Sequence, residues 1–373
     1  MRTTALFRLL FVPAALFAIA CDDSTSPFEP LDADEATPPA HEEAAFDEAA
    51  PLVAGSRWAD GYLMTETSKT GTTGPNPIYS YNRSGGPITV TKMATGRYVV
   101  RFGGLSALVG TKNTVHVTSF GVDGAYCKPV GARLAGDTVE VRCFAGGTGT
   151  ATNSVFTLLV AGNRDDRAFA YAHQPTATDY SPSAAGSWNS FGTSRVLRDG
   201  VGLYRVVFNG LGARLSATVG GSLQVNAVGT GKAYCKAIDG WGGSPNLTVN
   251  VGCFTSAGVP VDAKFSALFV MPAPLMGYAW ADQPISASYR AYSVYSWSPA
   301  GGGVLITRQG TGVYGVQWDQ PPFTGYGTVQ VTAWGEGSAQ CKLSVLGGRS
   351  AVVRCFAGNG VPMDSYYTVL IHS

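Results

Sequence analysis

The chain is 373 residues long with a formal net charge of +1; charged residues make up only 14% of it, while glycine alone supplies 48 positions. That length allows two or three domains. Sparse charge with abundant Gly, Val, Thr and aromatics favours short strands and tight turns over helices, and without a Lys/Arg-rich run the chain is not a nucleic-acid binder.

The near-neutral total hides an asymmetry. Ten of the 25 acids lie between Asp22 and Pro51, a stretch with no Lys or Arg, and the only bases before it are Arg2 and Arg8. The rest of the chain therefore holds 24 bases against 15 acids, a mildly basic body of +9. Scattered solubilising charge accounts for this; attraction to an anionic polymer is the functional alternative.

Residues 1–20 read as an export signal: Arg2 and Arg8, an apolar run from Leu9 to Ile19 too short to span a bilayer, then small residues. Ala18, Ile19, Ala20 and Cys21 resemble a bacterial lipoprotein lipobox, with Ala18 where leucine is usual. The resemblance implies a lipid on Cys21 and an envelope location; a plain secretory signal cleaved after Ala20 is the alternative. The cysteine count fits the lipid, since seven is odd for an exported protein and removing Cys21 leaves six. Residues 21–54, rich in Pro, Ala, Asp and Glu, read as a disordered tether.

Beyond it the chain repeats itself about every 107 residues. Gly96–Val100 matches Gly202–Val206 and Gly312–Val316; "AYCK" at Ala125 and Ala233 matches "AQCK" at Ala339; "VEVRCF", "VNVGCF" and "VVRCF" end at Phe144, Phe254 and Phe356. Upstream, "WADGY" from Trp58 is aligned with "YAHQP" from Tyr171 and "WADQP" from Trp280. Within a unit, alternation marks strands through Ile88 and Val90, through Tyr98, Val100 and Phe102, through Val115 and Val117, and through Val139, Val141 and Cys143. Period two means one face inward and the other toward water. The expected fold is all-β: three tandem β-sandwich or jelly-roll-like repeats over 55–164, 165–275 and 276–373.

Cys143 shares the parity of Val139 and Val141 and so points inward. Six cysteines allow fifteen pairings, but only pairing within units gives every repeat the same bond: Cys127 with Cys143, Cys235 with Cys253, Cys341 with Cys355. Loops of this length contribute roughly 3 kcal/mol each in the chain-entropy model. Such bonds need an oxidising compartment. A metal site is not supported, because there is no CxxC and no nearby histidine.

Of the four histidines, His41 falls in the tether, His116 on the outer face of its strand, and His173 in a slot filled by Asp60 and Asp282; with His372 they form no recurring catalytic set. Asn153, Asp262 and Asp364 precede the last strand of each unit and read as turn caps, with calcium binding as the rival. Tyr81, Trp188 and Trp297 recur and suggest core. Trp241, Trp318 and Trp334 lack an obvious counterpart in every unit and are the candidate ligand-facing aromatics.

Over its whole length the chain resembles bacterial envelope lipoproteins with tandem disulfide-bonded β-domains, a group of no defined activity. Its GxYxVxF element is also similar to a strand of complement-type and tumour-necrosis-factor-like jelly rolls and of phage fibre heads, which trimerise from one domain per chain. Three repeats in one chain either mimic such a trimer or lie along a line. The expected function is non-catalytic: adhesion or ligand or glycan binding by a lipid-anchored envelope protein. The expected partners are the membrane, through the anchor, and a glycan or envelope protein; no cofactor is implied. A purely structural spacer and an exported hydrolase are the alternatives.

Overall fold

The computed structural model describes residues 58–66, 71–216, 219–323 and 325–373, so Cys21, His41, the signal and the tether lie outside the described residues. Each repeat folds into eight strands in two antiparallel layers, the first adding the short strand Tyr81–Asn82, and a parallel bridge from Leu343 to Phe120 joins the third repeat's outer layer to the first repeat's inner layer in one nine-stranded sheet. In the second repeat the outer sheet runs in the order Asp179–Tyr180, Ser194–Gly200, Leu203–Phe208, Leu247–Phe254, Tyr234–Ala237. Its inner sheet runs Arg167–Ala172, Phe265–Val270, Ser222–Ala227. The fold is therefore all-β, each repeat a two-sheet sandwich.

Alternation builds each core. Tyr204, Val206 and Phe208 face Val249, Val251 and Cys253 inside one sandwich, while the residues between them face away. Trp318 occupies the place of Phe102 and Phe208 at the end of the equivalent strand, and it is 0% exposed. Each disulfide joins directly opposed residues of adjacent strands, Cys127 to Cys143, Cys235 to Cys253 and Cys341 to Cys355. The second cysteine of each pair is wholly buried. Three such bonds belong to an oxidising, exported setting.

The second face of the inner sheets is not wet. The three inner sheets pack on one another, and a ring of hydrogen bonds closes from repeat to repeat. The Val117 amide donates to Asn226 Oδ1 (2.5 Å), the Val225 amide to Thr332 Oγ1 (3.0 Å) and the Val331 amide to Thr118 Oγ1 (3.0 Å). Donors and acceptors sit at equivalent positions in the three units, so the bonds run first to second, second to third and third to first. The repeats are thus arranged as a closed ring about a pseudo-threefold axis, and the described residues form a single compact unit.

Along the axis lie more polar pairs. Thr332 Oγ1 donates to Gln224 Oε1 and Thr118 Oγ1 to Gln330 Oε1, both at 3.0 Å; Thr368 Oγ1 donates to Leu223 O and Thr157 Oγ1 to Val329 O. The first repeat has His116 where the others have Gln224 and Gln330. At one end the axis is capped by apolar side chains from all three repeats, among them Tyr62, Phe169 and Tyr278 with Leu159, Leu268 and Leu370. At the other, glycine turns meet backbone to backbone: the Gly147 amide donates to both Ser256 O and Gly358 O.

His116 does point away from its own sandwich, but that face is the axis, and the residue is 1% exposed. The "WADGY" alignment also fails, because Tyr62, Phe169 and Tyr278 oppose Leu159, Leu268 and Leu370. Trp280 therefore matches Met64, not Trp58, and His173 and Asp282 match Glu66, not Asp60. Trp58 lies before its strand, under the Arg167 guanidinium at 4.0 Å.

Candidate functional site

The "AYCK" motif supplies the joints between repeats. Its cysteine turns into its own sandwich, so the residues on either side turn outward, toward the next repeat. Tyr126 donates its hydroxyl to Lys232 O, and Tyr234 donates to Ser338 O at 2.5 Å. Lys128 Nζ donates to Ala233 O (2.9 Å), Lys236 Nζ to Gly337 O (3.0 Å), and Lys342 Nζ reaches Asp123 Oδ1 (2.7 Å). All three lysines are buried. Burial lowers Lys128 and Lys236 to about 8, and it lowers Lys342 too although Asp123 opposes that shift. Among the described residues, only Lys342 of the three is ion-paired.

Each joint places the edge strand of one outer sheet beside the inner strand of the next repeat, and the side chain at the end of that inner strand differs. At the joint of the third repeat with the first it is Phe120, which packs on the third repeat's core beside a backbone bond from the Gly121 amide to Leu343 O. At the joint of the second with the third it is Trp334. At the joint of the first with the second it is Val228, next to the bond from the Gly229 amide to Pro129 O.

Rings crowd the second joint, with a groove of about 310 Å³ beside Trp241 and Tyr295. Trp334 stacks on Trp280 and on Tyr366, each at 4.7 Å between centroids; Trp280 meets Tyr295 at 4.9 Å, and Tyr295 meets Trp241 at 5.7 Å. Trp241, Trp280, Tyr295 and Trp334 all pack on the second repeat's core. The indole N–H groups of Trp241 and Trp334 donate to Gly220 O and Ala281 O. Ring faces used on one another are not a stacking platform for a sugar. Of the three aromatics expected to face a ligand, Trp318 is core and Trp241 is buried interface; Trp334, partly exposed, is sandwiched.

The first joint is open. A groove of about 540 Å³ there is lined by Lys128, Lys232 and Lys264, by Pro175, Val228 and Val261, and by Thr255 and Ser256. The same position is plugged at the second joint, where Trp334 stands in place of Val228, Tyr366 in place of Lys264 and Ser338 in place of Lys232. Asp262 also borders the groove, but its carboxylate is taken up by Arg198 at 2.8 and 3.0 Å. Lysines at 232 and 264 have no signature in local sequence; comparing the three copies position by position, once their register is correct, is what singles them out.

Asn153, Asp262 and Asp364 do more than cap their own turns. Each accepts from the amide of a glycine more than fifty residues earlier: Gly96 at 3.1 Å, Gly202 at 2.9 Å, Gly312 at 2.8 Å. Those glycines have φ between 64° and 70°, and a Cβ there would meet the carbonyl of the second cysteine at 2.4–2.5 Å. Asp262 and Asp364 also accept from the Tyr204 and Tyr314 hydroxyls and form bidentate pairs with Arg198 and Arg308. The Arg198 bond is the main cause that lowers Asp262; at Asp364 burial works the other way, and the bonds from Arg308, Gly312 and Tyr314 outweigh it. A carboxylate so occupied by guanidinium and N–H donors does not suit calcium. The first repeat uses Asn153, with Lys92 at the arginine's position.

Among the described residues no three His, Cys, Asp or Glu side chains gather as metal ligands, and no helix is long and apolar enough to cross a membrane. Both buried histidines, His116 and His372, are lowered to about 3, by burial and, for His372, also by Arg167. His173 sits beside Tyr171 and Tyr180. No family model, curated protein or solved structure matches the chain.

Proposed function

We propose that this chain is a non-catalytic capture protein of the bacterial cell envelope, held by a lipid on Cys21 and reaching through the 21–54 tether. Its three-repeat head binds a ligand, a glycan by our reading, in the groove between the first and second repeats. The observation that supports this most is the difference between equivalent joints: the groove is open where its counterpart is filled by Trp334 and Tyr366. A volume near 540 Å³ lies within the range of small-ligand sites.

The reading has two tests. Intact protein screened on an array of bacterial surface glycans should retain a ligand, and Val228→Trp, which copies the plug, should abolish that binding while melting as the parent does. Mass spectrometry of the mature amino terminus should find a diacylglyceryl group on Cys21, and Cys21→Ser should move the protein from the membrane to the soluble fraction.

A further inference from the structure

Building on the groove reading above, we infer that the ligand is an acidic saccharide chain, recognised by Lys128, Lys232 and Lys264. The three cations converge on one groove from three different segments, the first repeat's edge strand and two loops of the second repeat. Lys232 and Lys264 are exposed, whereas Lys128 is 3% exposed and bonded to a backbone carbonyl instead of a carboxylate. The equivalent buried lysine at the third joint, Lys342, has Asp123 as its counter-ion. Lys236 at the second joint likewise meets only backbone carbonyls, so what marks the first joint is that Lys128 there lines an open groove beside Lys232 and Lys264. The one carboxylate on the lining, Asp262, is already neutralised by Arg198, so the lysines' charge is not cancelled locally.

The rest of the lining selects the class of anion. Pro175, Val228 and Val261 give a small apolar floor for sugar C–H faces, and the Thr255 and Ser256 hydroxyls suit sugar hydroxyls. No aromatic ring lines the groove among the described residues, so nothing there stacks with a nucleobase. The copies at the other joints keep the buried lysine but lack the other two cations: Ser338 and Tyr366, or Gly124 and Val155, stand where Lys232 and Lys264 do. One joint of three therefore carries the whole basic set.

The test is titration calorimetry of the intact protein with an oligogalacturonate, the neutral oligosaccharide of the same length, a sulfated oligosaccharide and single-stranded DNA. Acidic saccharides should bind and the neutral one should not, with affinity falling as salt rises. Lys232→Gln and Lys264→Gln, both at exposed positions that leave the fold intact, should each weaken binding about tenfold. The carboxylate and sulfate arms show which anionic group is preferred. Equal binding of neutral and acidic chains that survives both lysine changes but is lost in Val228→Trp overturns the anionic assignment and leaves the groove standing. Binding untouched by Val228→Trp overturns the groove itself. Preferential binding of DNA, reduced by the same lysine changes, overturns the saccharide assignment.

Discussion

The joint between the first and second repeats and the joint between the second and third are laid out by the same strands, yet one is a groove and the other a stack of rings. Backbone placement in both follows from the elements the repeats share: the glycine turn before each Tyr, the cross-strand disulfide and the "AYCK" edge. Side chains make the difference, among them Val228 against Trp334, Lys264 against Tyr366, Lys232 against Ser338 and Tyr171 against Trp280. A repeated fold thus keeps its frame and changes its joints, because a side chain leaving the sheet surface is free to vary wherever no partner in its own sandwich constrains it.

The largest test of that contrast is Trp241→Ala. Trp241 touches Phe269, Trp280 and Tyr295, so its loss should cost about 3–5 kcal/mol in denaturant unfolding. Binding at the first joint should persist in the folded fraction. A cost below about 1 kcal/mol, at the level of an exposed substitution, would mean that the rings do not hold the second joint.

Thr332→Val asks whether the axis is one ring or three separate contacts. It strips the buried Val225 amide of its acceptor, and the expected loss is about 1–3 kcal/mol. Thr118→Val does the same to the Val331 amide and should cost a similar amount. Unequal costs would show that the plugged joint carries more of the closure than its neighbour.

A further effect depends on pH and grows as pH falls. His116 and His372 titrate near 3 when folded, against 6.5 for the free side chain, so below about pH 6.5 the unfolded chain binds protons that the folded chain refuses. Each histidine should then remove about 1.4 kcal/mol of stability per pH unit until pH nears 3, and nothing above neutrality. His116→Gln, the residue found in the other two repeats, should halve that slope and leave stability at pH 8 little changed. Melting temperatures of the pair across pH 4–8 read the difference; parallel curves would mean that His116 takes up its proton as readily in the fold as in the unfolded chain.

Much of this fold is legible in the residues. Alternation at Val139, Val141 and Cys143 places one face inward, and the threefold recurrence of the cysteines leaves one pairing that serves every unit, because both are local properties of a strand and its nearest neighbour. The axis is harder to see. Thr114, Thr118, Asn226, Thr332 and Thr368 alternate with apolar residues just as water-facing positions do, and nothing in their own strands tells a wet face from one packed on another polar sheet. The closing strands carry the one available signal: Leu158, Leu159, Val160 and Ala161 are apolar at both parities, the pattern of a strand covered on both sides.

The sequence by itself determined the composition of each unit: short alternating strands, a cross-strand disulfide, a glycine before each recurring Tyr and a polar cap, Asn153, Asp262 or Asp364, before the last strand. These depend on side-chain parity and backbone sterics within about a hundred residues. Only the tertiary structure decided that the three units close into a ring, that their polar faces are buried against one another, and that one joint stays open with Lys128, Lys232 and Lys264 around it. Those outcomes depend on complementarity between surfaces far apart in the chain, where hydrogen-bond geometry and side-chain volume, rather than periodicity, select among arrangements that the same strands permit.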